Sequence, residues 1–330
     1  MSGWFLKSGA FISIQNNEQK CNAMKRNASQ IGKSLVDKLW EAFNLRVPYA
    51  QTYSELVRRK GGQVVLDHLG FRTLNCHTGE QPEGILAVRH IIECLGYHPA
   101  GKYVLPKKNL KAIHFEAESE ELPKFYVSQL EVSHLPGWAQ KLFPDVVSET
   151  PYLLSDTSIE LLSKLKEDGI LNTEAAEILV DELVNYFRRP WIPPAKETVL
   201  KLNDISHYAA WVLLHGNSPS HFAASINKQG VNAWLDLKST CLALKNAGIP
   251  MKEKLEGEMG SVLQQTATLA VKEDLKVKSE NDIEEISWTY AYLEFIQRGF
   301  TEEGGQRNLF QGFIESQERH LYNLTRTLEN

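Results

Sequence analysis

The period of the apolar positions changes several times along this chain, and the changes divide it into elements. Leu35, Leu39 and Phe43 recur at helical spacing, which predicts an amphipathic helix over 31–45. A second helix carries Tyr53, Leu56 and Val57 and stops at Gly61-Gly62. The run from Val64 to Leu74, bounded by those glycines and Asn75, reads as a strand. Pro82 opens a further helix through Ile85, Leu86, Val88, Ile91 and Ile92, and Gly96 closes it. Short strands over 102–105, 110–116 and 124–132 follow, the last with Gln129 at its middle.

Residues 133–200 change character. Helices are expected over 158–166 and 173–188, before Pro190, Pro193 and Pro194 break the pattern. This stretch reads as a helical insertion without chemistry of its own. The earlier order then returns. A helix through Tyr208, Ala209, Trp211, Val212 and Leu213 ends at Gly216, and a strand over 220–227 carries His221 near its start. A helix over about 231–247 ends at Gly248, and the run 286–300, with Trp288, Tyr290, Tyr292 and Phe295, reads as a strand holding Glu294. His68 thus pairs with His221, and Gln129 with Glu294. The expected fold is α+β in one domain over 31–330. Two βαβββ modules, about 31–132 and 201–330, join into one curved mixed sheet with flanking helices and the insertion 133–200 between them. Polar residues from both halves meet in its concavity.

The bulk numbers narrow this little. The 330 residues are 42% hydrophobic and 23% charged, an ordinary globular balance, and the net charge of -5 argues against a nucleic-acid partner. Cys21, Cys76, Cys94 and Cys241 show no CxxC spacing and read as free thiols in a reducing compartment. No apolar run reaches the roughly 18 residues a membrane span needs. The first 30 residues set Lys7, Lys20, Lys25 and Arg26 against Glu18 and read as a disordered leader, poor as a secretory signal. A cytoplasmic location is expected, with organellar targeting left open.

Candidate chemistry starts on the first His-bearing strand. His68 and Arg72 are four apart and share a face, with Cα atoms roughly 13 Å apart at about 3.3 Å per residue. Their side chains can converge on one small anion, although the blander reading is a hydrogen-bonded surface pair. Two histidines and a carboxylate from separate strands, His68, His221 and Glu294, match the 2-His-1-carboxylate set of non-haem iron(II) oxygenases. Imidazole and carboxylate suit a borderline metal, and three ligands on one side leave positions open for substrate and O₂. Zinc also uses two His and a Glu, so a metal-dependent hydrolase or isomerase remains as an alternative, lowered by the lack of an HExxH motif. A binding protein without turnover is a further one. Glu294, set among apolar residues, could instead be a buried ion pair with Arg298. His77, His90, His98, His114, His134 and His320 have no partner at ligand spacing, and His207 and His215 stand eight apart on one helix. All are read as structural or surface residues.

Four segments resemble one family. Asp67-His68-Leu69-Gly70-Phe71-Arg72-Thr73-Leu74 is similar to its D-H-[IL]-[AG]-[FL]-R-T-[FL] strand, and Tyr208-Ala209-Ala210-Trp211 with Ser220-His221-Phe222 to its Y-A-A-W and N-H-F segments. Arg189-Pro190-Trp191 resembles its R-P-W turn, and Tyr292-Leu293-Glu294-Phe295 with Arg298 its Y-x-E-F-x-x-R strand. The family is that of 2-oxoadipate dioxygenase/decarboxylases, related in fold to the vicinal-oxygen-chelate enzymes such as hydroxyphenylpyruvate dioxygenase. The resemblance runs from about Ile31 to the end. It implies Fe(II) held by His68, His221 and Glu294, and Arg72 on a carboxylate of the substrate. It also implies turnover of 2-oxoadipate and O₂ to 2-hydroxyglutarate and CO₂ in lysine catabolism. Two positions depart from the pattern: Ser220 stands where the family often has Asn, and Gln129 where short members often carry Glu. Gln129 is expected to line the pocket without binding iron.

Overall fold

A computed structural model describes residues 25–147, 150–280, 282–315, 317 and 322–326. Residues 1–24 of the expected leader, Cys21 among them, and His320 lie outside the described residues. The described elements begin at Lys25, inside the stretch expected as leader. In chain order they are β1 (Lys25–Asn27), α1 (Ala28–Arg46), α2 (Pro48–Arg59), β2 (Leu66–Leu74), α3 (Leu86–Ile92), β3 (Tyr97–Leu105), β4 (Leu110–Ala117) and β5 (Lys124–Leu130). The middle of the chain gives α4 (Gly137–Val147), α5 (Asp156–Asp168), β6 (Ile170–Asn172), α6 (Thr173–Tyr186), α7 (Lys196–Ile205) and α8 (His207–His215). The remainder gives β7 (Pro219–Ser225), α9 (Leu237–Asn246), β8 (Leu263–Ala267), β9 (Lys272–Lys278), β10 (Ile283–Thr289), β11 (Tyr292–Arg298), β12 (Phe300–Glu303) and β13 (Gln306–Leu309).

Seven strands form one mixed sheet in the order β3-β4-β5-β2-β7-β11-β8. Its two halves are built alike. In the first, β2 runs parallel to β5, and in the second β7 runs parallel to β11. The halves join where β2 and β7 pair antiparallel, with Gly70 opposite His221 and His68 opposite Ala223. The two His-bearing strands are therefore central neighbours, buried along most of their length. The sheet curls into a half-barrel with helices outside it, the arrangement the repeated order anticipated.

Several boundaries differ from the sequence reading. The run 286–300 is two strands. In β10 burial alternates, as for a ribbon with one wet face, and it pairs with β9 in a separate hairpin; β11 is almost wholly buried and belongs to the main sheet. Tyr290 and Ala291, consecutive and both buried, break the alternation between them. The helix expected from about 231 starts only at Leu237, where Asp236 and Ser239 form a reciprocal capping box. The stretch expected as an insertion also contains α4 and the first half of α7, and its β6 pairs with β1 and so ties the start of the described chain to it.

Helix α8 is apolar all round and buried from Tyr208 to His215. The Arg189-Pro190-Trp191 turn closes its end: Arg189 donates to the Leu214 carbonyl and Trp191 Nε1 to the Leu213 carbonyl at 2.7 Å. These side chains satisfy carbonyls that the helix itself leaves without donors. Among the described residues no helix is long and apolar enough to cross a membrane.

Candidate metal centre

Strand alternation decides which side chains meet. On β2, His68, Gly70 and Arg72 share a face; on β7 that face presents His221, and on β11 Tyr292 and Glu294. His68 Nε2 lies 3.2 Å from His221 Nε2, and Glu294 Oε2 lies 3.7 and 3.6 Å from those two nitrogens. All three residues are buried, and the group could hold a metal ion. Ligand atoms sharing one ion at about 2.1 Å stand roughly 3–3.5 Å apart, so the triangle has the right size. The donor set fits as well. Among the described residues neither buried Glu294 oxygen has a hydrogen-bond donor, which is costly for a carboxylate unless a cation faces it.

Each imidazole is oriented from behind. His68 Nδ1 bonds Asp67 Oδ1 at 2.9 Å, which leaves Nε2 to face the centre. Asp67 is in turn gripped by the Arg298 fork at 2.7 and 2.8 Å. The ion pair that the sequence offered to Glu294 thus belongs to Asp67. Burial opposes charge on Asp67, but Arg298 and His68 outweigh it and hold its carboxyl well below the usual range. Burial likewise disfavours a charged His68, yet the Asp67 and Glu294 carboxylates raise it to about 9. His221 moves the other way, well below its ordinary value, through burial and then the charges of His68 and Arg72. The two imidazoles thus shift in opposite directions, and a dication bound there would favour the neutral form of both.

His221 stacks on Tyr292 with ring centroids 5.1 Å apart, and Ser220 Oγ lies 3.1 Å from its Nδ1. Gly70 makes room for it: a Cβ there would lie 1.9 Å from His221 Cε1. Arg72 is buried on the same strand face as His68. It donates to Thr325 Oγ1 at 2.6 Å, and its guanidinium lies 4.9 Å from the Trp211 ring centre and 5.4 Å from that of Tyr208. The Tyr208 hydroxyl accepts from the Thr73 amide and bonds Ser128, fixing α8 against β2 and β5.

A strap over residues 310–315 crosses the concave side. Arg298 Nη1 donates to the Phe310 and Gly312 carbonyls, and the Phe313 amide donates to the Tyr103 hydroxyl at 3.1 Å. The Phe313 ring stands edge-on to His68 at 4.9 Å and against Tyr126 at 4.8 Å.

Gln129 is not brought into this group. It pairs with Thr73 on β2, so its side chain points to the opposite face from His68 and Arg72. There Oε1 accepts from the Ile85 amide at 3.0 Å and Nε2 donates to Glu131. Gly84, at φ +54°, leaves the space this needs. The register also corrects the pairing of the halves. Glu294 lies two residues past the partner of His221, and the residue two past the partner of His68 is Tyr126. Counting alternation back from His68 through the parallel pair would have exposed the parity error. Asp67 and Phe313 carried no such signal.

A family model described as 2-oxoadipate dioxygenase/decarboxylase matches residues 34–329. A curated relative from Oryza sativa, a chloroplastic/amyloplastic 2-oxoadipate dioxygenase/decarboxylase, is 23% identical over 294 residues, covering 84% of this chain and 71% of that protein. Two crystal structures share the fold. A glyoxalase-superfamily protein from Ralstonia eutropha superposes with TM-score 0.79 at 24% identity, covering 88% of this chain and 87% of the other. Hydroxyglutarate synthase from Oryza sativa, solved with 2-oxoadipate, gives 0.70 at 20% identity over 91% and 93% of the two chains.

Proposed function

Because this chain belongs to the 2-oxoadipate dioxygenase/decarboxylase family, we propose that it uses Fe(II) at His68, His221 and Glu294 to convert 2-oxoadipate and O₂ to 2-hydroxyglutarate and CO₂, a step of lysine catabolism. The observation that carries this reading is the buried triangle of two imidazoles and an unpartnered carboxylate. Iron bound there supplies a site for the 2-oxo acid and O₂ together and the electrons that activate the oxygen. The chain's own residues do the rest. Asp67 and Arg298 hold the His68 ring in the tautomer that offers Nε2. Glu294 contributes negative charge that offsets part of the dication. Arg72 presents a planar fork to the far carboxylate of the six-carbon diacid, with Trp211 and Tyr208 along its flanks. Phe313 and its strap keep bulk water from the reacting carbons. That the rice relative's structure was solved with 2-oxoadipate supports the choice of diacid.

Atoms balance with no second organic substrate, which gives the test. Anaerobically reconstituted protein should hold one iron per chain. With 2-oxoadipate it should consume one O₂ per CO₂ released and yield 2-hydroxyglutarate. Zinc loading without O₂ uptake, or glutarate as the only product, would overturn the assignment. Arg72→Lys should raise KM about tenfold or more and also lower kcat, because a point charge cannot reproduce the fork. Unchanged kinetics would remove Arg72 from the substrate.

A further inference from the structure

Gln265 stands in the middle of β8 with no exposure to solvent. Its backbone is fully used, paired with Ile296 of β11 on one side and with Glu256 on the other. Its side chain is not: neither Oε1 nor Nε2 has a hydrogen-bond partner among the described residues. The register sets its direction. Glu294 lies opposite Ala267 and Ile296 opposite Gln265, so Gln265 shares the concave face with Glu294, one diagonal step away. Leu263 and Ile296 pack with Ala223 and Phe310 on one side of it, and Ala267 with Tyr292 on the other. An amide held between two small apolar clusters, beside a metal-ligating carboxylate, is an expensive choice unless something else bonds it. Leu or Met would fill such a place at no polar cost.

We propose that Gln265 is a specificity-determining residue whose amide bonds the 2-oxo acid at the metal centre. Nε2 donates to a carboxylate or 2-oxo oxygen of that molecule, and Oε1 accepts from a hydroxyl or water beside it. This rests on the reading that a 2-oxo acid binds at His68, His221 and Glu294. It adds a recognition element on the second half of the sheet, across the centre from Arg72. An amide can meet an anionic oxygen without adding charge, whereas a carboxylate there would repel the substrate and compete with Glu294 for the ion.

Gln265→Met and Gln265→Glu test it. Metal content, the melting temperature of metal-free protein and anaerobic calorimetry of 2-oxoadipate binding to Fe(II)-loaded protein are measured together. Gln265→Met should keep its metal and melt at or above wild type, yet bind 2-oxoadipate about tenfold more weakly. Gln265→Glu should bind it more weakly still. Equal affinity in Gln265→Met would overturn the role of the amide. So would a Met variant that fails to fold or melts well below wild type, since the amide would then have a partner within the fold. Wild-type protein that loads metal but binds no 2-oxo acid would instead overturn the proposed function, and this inference with it.

Discussion

The two halves of the sheet share a plan and differ in what their buried polar groups bond. On the concave face of the first half, Tyr103, His114, Glu116 and Lys124 form a chain. The Tyr103 hydroxyl donates to His114 Nδ1 at 2.8 Å, His114 Nε2 donates to Glu116 at 3.1 Å, and Lys124 closes on the same carboxylate. On the second half, the side chains of Glu294 and Gln265 are buried with no hydrogen-bond partner among the described residues. Equivalent strands thus carry a network that completes itself and a set of groups that does not. A self-satisfied network holds structure; unsatisfied groups facing one cavity are where a bound molecule supplies the missing partners. By this measure the groups left for a bound molecule lie in the second half and at the seam, while the first half brings His68, Arg72 and the wall behind Phe313.

That contrast can be broken at equivalent positions. The largest effect is expected from His68→Ala, His221→Ala and Glu294→Ala, each losing metal and turnover, while Tyr126→Phe at the counterpart of Glu294 keeps its metal. Metal analysis of the four proteins decides it, and a Glu294→Ala protein with full metal content would end the comparison. Next comes the support of His68. Asp67→Asn should weaken metal binding about 10–100-fold. Arg298→Met, which leaves Asp67 buried without its cation, should cost about 3–5 kcal/mol of stability by urea unfolding.

A smaller effect belongs to the self-satisfied network, and its sign follows from His114. Burial, helped by the charges of Lys124 and Arg298, lowers its pKa to about 4 in spite of Glu116. Its ordinary value is 6.5. Above that value neither folded nor unfolded chain holds the proton. Between 6.5 and 4 the unfolded chain takes it up and the folded one does not, so stability falls as pH drops. Urea midpoints of wild type and His114→Asn from pH 7.5 to 4 should converge towards the acid end. Parallel curves would mean that His114 takes up its proton alike in the folded and unfolded chain. The smallest effect is that of Gln129→Leu, which should lose about 0.5–1.5 kcal/mol of stability and leave turnover unchanged. A fall in kcat/KM would return Gln129 to the pocket.

Much of this was legible in the chain. Both His-bearing strands, their glycine-closed helices and the repeat of the two halves followed from period and turn residues. The three residues that meet at the centre, up to 226 positions apart (294 − 68), were singled out by their residue types and by the resemblance of their strands to the family pattern. What escaped was parity and register. Gln129 was matched to Glu294 as the polar residue in the middle of a strand, but a shift of one residue sends a side chain to the other face. Partner choice escaped too. Arg298 has a buried carboxylate four residues before it, Glu294, and only the fold puts Asp67, 231 positions away, in its fork. Gln265 escaped because a buried amide in a strand looks ordinary until its bonds are sought.

Gly70 extends this to heredity. It carries no donor, acceptor or charge in its side chain, yet a single methyl group added there would occupy the place of the His221 ring. In a scan of every possible substitution, position 70 should score with the three proposed ligands and not with the core around it. The smallest replacement, Gly70→Ala, should already be nearly as damaging as loss of a histidine. A variant library sorted by turnover would flag this residue as essential chemistry, when what it contributes to the lineage is an absence of atoms.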